Sequence, residues 1–480
     1  MRRINPKDMI ATAIASAVLL GIAACGGGEA DDNVQASGNA IGSQDANSDK
    51  ASEQSKARPN PPPVDPNPVV TPVDASLVLA STSASGRASD GSNCAVSADG
   101  SQVAFSSRSS ALVAGDSNNT EDVFVKNVRT GAIARVSTNS GGGQLQAVST
   151  CLGMTPDANY VVFMNPEVVG GGAFSPPVVT EAAIFVKNLR TGALTNVAPP
   201  RNAFSNTAGY RFQSISDDGN RVALIALPTT IYLGGYETAA LGPARALVRD
   251  IGTGALTDLS PQVSLDVSQG AVITNIALSP DGSKLAFSSR TNYPAVGDTN
   301  GGADVFTIDI ASRAVSLVSP AGASPSFQNY AISGFLAGGS KLAFISAAPT
   351  SAGGVGAYVR DLNSGALNLV FAAPVGQALP QPLSFSGDGS LLAYTRPYFV
   401  SGRNEAIVRN VSTGQEQLAN VTTAGLAANG ESRFPLLSRD GSAVVYDSNA
   451  TNLVRPALNE AYQYRPYVKT LSRLAGQTPG

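Results

Sequence analysis

Leu278-Ser279-Pro280-Asp281-Gly282-Ser283-Lys284-Leu285-Ala286-Phe287 is the stretch that decides how the rest of the chain reads. Asp-Gly supplies the backbone freedom of a tight hairpin turn, and the apolar run behind it suits a strand buried on both faces. The same stretch, with substitutions, opens at Val96, Met154, Ile215, Leu336, Phe385 and Leu437. Counting from its Asp position (Gly338 in the fifth unit), successive units lie 50 to 63 residues apart. Seven units of that length in a strand-rich pattern read as propeller blades.

Each unit has a second half. Asp122-Val123-Phe124-Val125-Lys126-Asn127-Val128-Arg129-Thr130-Gly131 recurs around Val186-Lys187-Asn188, Val248-Arg249-Asp250, Thr307-Ile308-Asp309, Val359-Arg360-Asp361, Val408-Arg409-Asn410 and Val468-Lys469. Thr-Gly marks a second hairpin, so a unit has an inner strand, two middle strands and an outer strand. The last unit lacks its Thr-Gly and outer strand, whereas Ala75 to Thr82, ahead of the first unit, matches Ala132 to Thr138. The expected fold is therefore all-β: a seven-bladed β-propeller over residues 74–476, closed by an N-terminal strand in the last blade, with no exposed sheet edge.

These units resemble the WD40-like (PD40) repeats of the TolB-type propeller family, whose signature is close to Ser-Pro-Asp-Gly-Ser-Lys-Leu-Ala-Phe; the fourth unit matches it nearly residue for residue. The resemblance covers residues 75–474 and implies the fold, not a role, because propellers host many functions. TolB-type proteins carry an additional N-terminal domain that contributes to envelope partnerships. A low-complexity segment stands in that place here.

That segment follows an export signal. Arg2, Arg3 and Lys7 precede an apolar run from Met9 to Ala24, too short for a comfortable membrane span. Ile22-Ala23-Ala24-Cys25 then resembles a bacterial lipobox, which implies cleavage of residues 1–24 and acylation of Cys25. The alternative is an ordinary cleaved signal that happens to hold a cysteine. Gly26, where an inner-membrane retention signal would have Asp, favours the outer membrane in a Gram-negative host. Residues 25–73 have few large apolar side chains and end in a proline-rich run from Pro59 to Pro68. They are expected to form a disordered, Pro-rich tether that holds the propeller clear of the lipid.

Composition limits the chemistry. Among 480 residues there are 49 Gly and 30 Pro but no His, only 14% are charged, and the formal net charge is −3. Without histidine, Ser–His and Cys–His nucleophiles and imidazole zinc sites are unavailable. No basic block marks a nucleic-acid partner. The expected role is a monomeric, non-enzymatic envelope scaffold for a protein, peptide or glycan. The alternative is a carboxylate-dependent, glycan-active enzyme, although no sialidase-type Asp-box is present and Trp is absent.

The longer connections between middle strands carry the site candidates. Tyr232, Tyr236, Tyr293, Arg396, Tyr398, Arg403 and Tyr462 suit a glycan or peptide surface, or else pin their own loops. Two loops repeat Asp-x-Asn-x-x-x-Asp: Asp116, Asn118, Asp122 and Asp298, Asn300, Asp304. Three oxygen-bearing side chains on a short loop suit a structural Ca²⁺, although Asp and Asn also cap turns unaided. Cys94 and Cys151 open consecutive inner strands and are expected either as a disulfide between blades one and two or as two buried thiols.

Overall fold

The computed structural model describes residues 69–72 and 75–472, apart from short loop segments, the longest being 170–177, 266–274, 321–330 and 347–354. The signal segment, Cys25 and most of the tether lie outside the described residues.

The repeated turn folds through local side-chain chemistry. In the first unit Ser97 Oγ donates to Asp99 Oδ1 (2.7 Å) and accepts from the Gln102 N–H (2.9 Å). Asp99 Oδ1 also accepts from the Ser101 N–H at 3.0 Å. The same three bonds recur at Thr155/Asp157, Ser216/Asp218, Ser279/Asp281, Ser386/Asp388 and Ser438/Asp440. Gly100, with φ +69°, takes the left-handed position, while Asp99 keeps a negative φ. The turn is thus a four-residue loop (Ser97 N–H to Gln102 O, 2.9 Å), not the two-residue Asp-Gly hairpin that the dipeptide suggests. The fifth unit, with Gly338 in the Asp position, replaces it with a short 3₁₀ segment over Ala337–Gly339. At the second hairpin, Asn127 Oδ1 accepts from the N–H groups of Arg129 (3.0 Å) and Thr130 (2.9 Å). Asn188, Asp250, Asp309, Asp361 and Asn410 repeat that cap, which explains why the third strands of blades 1 to 6 end in Asn or Asp.

These turns build seven four-stranded antiparallel sheets. Blade 1 runs Ser92–Val96, Gln102–Ser107, Asp122–Asn127 and Ile133–Arg135 from the inside outward. Blades 2 to 6 repeat the order, with inner strands starting at Thr150, Thr207, Ile276, Ala331 and Ser384. Blade 7 takes Ser432–Leu437, Ala443–Ser448 and Arg465–Thr470 from the C-terminal end and Leu77–Leu79 from the N-terminal end. The register pairs Leu77 with Lys469, Val78 with Val468 and Leu79 with Tyr467. The ring is closed.

The core is divided the same way. Each of seven apolar clusters lies between two consecutive blades, including one between blades 7 and 1. In the fourth unit, fully buried Leu285 and Phe287 pack against blade 3, and Ala286 packs against blade 5. Alternating side chains on a middle strand face opposite neighbours, so a run apolar on both faces is what a sheet between two sheets requires.

Candidate functional site

Strand order puts both kinds of turn on one face of the disc and the longer connections on the other. The turn face is tied shut. Backbone N–H groups of Ala98, Asp217, Ala337 and Gly387 donate to Pro156, Pro280, Gly387 and Arg439, each in the next blade, and Asp440 donates to Ala98. In blades 2 and 4 the donor position holds Pro156 and Pro280, which have no N–H to give. Arg439 of blade 7 then reaches across the channel mouth and pairs through both guanidinium nitrogens with Asp217 of blade 3. Gly387 makes room for that arginine, since a Cβ there would collide with its Cγ.

The connecting face is where the sequence placed its candidates, and they do not form one surface. The Tyr293 hydroxyl donates to Gln262 O (3.0 Å) and accepts from the Ser264 N–H (3.1 Å), while its ring packs 4.6 Å from that of Phe306. It pins its own loop. Arg396 is paired with Glu405 (3.4 Å) and Glu416 (2.7 Å), and Arg403 donates to Ala428 O (2.7 Å), all within blade 6 and its outgoing connection. Tyr232 and Tyr236 sit on a hairpin, Thr230–Leu233 with Tyr236–Ala240, between the middle strands of blade 3. Tyr398 and Tyr462 lie outside the described residues.

The two acidic loops fold alike and differ in charge balance. In both, the last Asp is buried and accepts from a serine hydroxyl at 2.5 Å: Asp122 from Ser137, Asp304 from Ser319. In both, the Asn side chain accepts from an N–H two residues on: Asn118 from Thr120, Asn300 from Gly302. In blade 1, however, Arg135 on the outer strand lies 3.5 Å from Asp116 and 3.9 Å from Asp122. Gln144 Nε2 donates to the same two carboxylates at 2.9 and 3.1 Å, and Asn118 Nδ2 donates to Asp122 at 3.2 Å. Around Asp116, Asn118 and Asp122, side chains of the protein thus stand where a cation would bind. Burial and the nearby Asp122 raise the Asp116 carboxyl above its ordinary range, against Gln144 and Arg135.

Among the described residues, Asp298 and Asp304 in blade 4 have no ion-pair partner. Both are buried, at 2% and 1% exposure. Asp298 Oδ2 accepts from the Tyr293 N–H at 3.0 Å, whereas Asp298 Oδ1 and Asp304 Oδ2 have no hydrogen-bond partner. Burial, reinforced by Asp298, pushes the Asp304 carboxyl up against the lowering effect of Ser319 and Asn300.

The sequence reading missed a polar cluster at the junction of blades 7 and 1. Asp447, fully buried, accepts from Ser92 Oγ (2.8 Å), the Asn93 N–H (2.9 Å) and Asn93 Nδ2 (2.7 Å). Burial raises it to about 6, with those bonds and Arg433 acting the other way. The Arg433 guanidinium stacks 3.4 Å from the ring centre of Tyr464, whose hydroxyl donates to Glu431 (2.8 Å). The available signal was Asp447 itself: aligned units carry Ser106, Met164, Ile225, Ser288, Ile345 and Thr395 there. One junction further on, Cys94 and Cys151 are joined as a disulfide, with Cα atoms 5.9 Å apart.

Comparison with known proteins adds likeness of fold. No family model matches, and no curated protein matches. Among solved structures, an oligogalacturonate lyase from Vibrio parahaemolyticus is 13% identical, with 84% of this chain and 94% of that chain covered and a TM-score of 0.49. TolB from Acinetobacter baumannii is 12% identical (80% and 79% covered, TM-score 0.37). The β-propeller domain of the trilobed protease from Pyrococcus furiosus is 9% identical (81% and 99% covered, TM-score 0.44).

Proposed function

We propose that the chain is an exported envelope lipoprotein, anchored through Cys25, whose propeller binds a protein, peptide or glycan partner on its connecting face and performs no chemistry. The observation that carries this reading is the contrast between the faces. The turn face spends its polar groups on itself, in the blade-to-blade backbone bonds and the Arg439–Asp217 bar. The connecting face holds the loops that differ most between blades, including the hairpin Thr230–Leu233/Tyr236–Ala240. Variable loops on a rigid disc suit recognition, and the absence of histidine from the whole chain removes the commonest general base.

Two experiments test it. Radiolabelled palmitate should enter the wild-type chain and not Cys25→Ser, with the variant released from the membrane fraction; equal labelling would remove the anchor from the proposal. For the binding face, native envelopes are cross-linked with the wild-type chain and with a variant whose residues 230–240 are replaced by Asn-Gly. A partner captured by the first and lost from the second supports the connecting face. Loss instead with Arg439→Ala, on the turn face, contradicts it.

A further inference from the structure

We propose that Asp298 and Asp304 form a Ca²⁺ site in blade 4, a site that the otherwise matching loop of blade 1 has replaced with an arginine. The inference is independent of the functional reading above. Two carboxylates buried at 2% and 1% exposure sit on one short loop, each with one oxygen that has no hydrogen-bond partner, and the charge of Asp298 acts on Asp304. Facing carboxylates in a low-dielectric site repel, and an unmatched buried charge is strongly unfavourable. A cation between them removes both penalties.

Blade 1 shows what the loop does when the chain supplies that cation. Arg135 stands opposite Phe124 on the outer strand and sets its guanidinium beside Asp116 and Asp122. The matching position in blade 4, opposite Phe306, is Leu317, which packs into the apolar cluster with Tyr293 and Val296. The two loops share the Ser–Asp bond, the Asn turn and the spacing. The blade 4 loop therefore keeps the acidic half of an ion pair and lacks the basic half. Among the described residues no cation lies within ion-pair distance of Asp298 or Asp304.

The donor set selects the ion. Carboxylate oxygens without thiolate or imidazole favour a hard cation, and Ca²⁺ accepts an irregular shell of about 6 to 8 oxygens completed by water and loop carbonyls. Among the described residues no three acidic, Cys or His side chains converge on one point. Two carboxylates thus have to hold the ion, which points to modest affinity, in the range of extracellular modules, about 10⁻⁴ to 10⁻³ M.

The test uses the full-length chain after EGTA treatment, with CaCl₂ as the probe in calorimetry and in thermal melts. A single equivalent of Ca²⁺ should bind and raise the melting midpoint by a few degrees. Asp304→Asn should abolish both responses, and Asp116→Asn should leave both intact. Leu317→Arg gives the blade 4 loop the arginine that blade 1 tolerates, so it should fold, melt at or above the calcium-free wild type, and ignore Ca²⁺. This variant keeps the test decisive if Asp304→Asn fails to fold. Absence of any calcium response in the wild type would overturn the site. Binding that survives Leu317→Arg and vanishes with Asp116→Asn would overturn it in favour of blade 1.

Discussion

Blade 1 is joined to its two neighbours by one device carried out with two chemistries. Toward blade 2, the Ser106 hydroxyl accepts from the Cys151 N–H at 2.9 Å. Toward blade 7, the acceptor at the matching position is Asp447, which takes the Asn93 N–H and two further donors. Thr395 repeats the hydroxyl version between blades 6 and 7 (3.2 Å to the Phe434 N–H). An ordinary junction is also held by chain connectivity, since one blade runs directly into the next. The junction of blades 7 and 1 joins strands more than 300 residues apart, and its acceptor is the one carboxylate at this aligned position. The carboxylate between blades 1 and 2, Glu121, lies instead in the preceding loop and accepts from Thr150 at 3.1 Å. Closure is therefore fastened twice: by the Leu77–Leu79 strand inside blade 7, and by Asp447 between blade 7 and blade 1.

The strand carries the larger share. An internal deletion of residues 75–82 would leave Arg465–Thr470 an open edge and uncover Tyr467, now fully buried beside Leu77 and Leu79. The expected outcome is loss of the single cooperative unfolding transition, followed by circular dichroism on heating, with aggregation. An unchanged melt would mean that the ring holds without its N-terminal strand.

The carboxylate comes next, and it sharpens the comparison with Ser106. Asp447→Ala strands the Ser92 hydroxyl and two Asn93 donors and removes a carboxylate whose charge Arg433 favours, costing about 3 to 5 kcal/mol. Ser106→Ala strands one N–H and costs about 1 to 3 kcal/mol. Denaturant titration of the two variants measures the gap; equal losses would deny the closing junction any special role. The pH profile adds the sign. Asp447 is raised in the folded state to about 6, so its contribution is fully present below pH ~4, the unfolded value, and is lost as pH rises through 6. Asp99 behaves oppositely. Burial works to raise it, but the Ser97 and Ser101 bonds and Arg129 outweigh that and hold it at about 2, so its contribution is lost only as pH falls from ~4 toward 2. Asp447→Asn should therefore flatten the fall in melting temperature between about pH 4 and 6 and leave the more acid limb unchanged. A slope identical to wild type would contradict the assignment.

The same contrast marks what could be read in the chain. The blade count was legible because each turn is made by residues two to five apart: Ser97, Asp99 and Gln102, or Asn127 and Thr130. The closing strand was legible because Ala75 to Thr82 repeats an outer-strand pattern that the last unit lacks. Asp447 and the Arg439–Asp217 bar were not. They link residues 355 and 222 positions apart and acquire meaning only once the ring brings blades together. The acidic loops fall between these cases. Their residues were found, but what separates them is Arg135 against Leu317, an outer-strand difference well outside the motif.

The smallest expected effect lies inside the turn that made the repeat legible. Ala158 sits at φ +56°, where Gly100, Gly219, Gly282, Gly389 and Gly441 take φ between +68° and +77° in the other complete turns. A left-handed conformation costs a non-glycine residue roughly 1 to 2 kcal/mol, which Ala158→Gly would relieve. Loss of a buried methyl and the freer unfolded chain offset part of the gain, leaving a net stabilisation of about 0.5 kcal/mol. The reciprocal change is not symmetric. Gly219→Ala adds left-handed strain and drives a Cβ into the ring of Tyr160 in the preceding blade, so it should destabilise by well over 1 kcal/mol. Denaturant midpoints of the two variants should move in opposite directions. A loss of stability in Ala158→Gly would mean that the alanine methyl is worth more to the contact between blades 1 and 2 than the backbone strain it imposes.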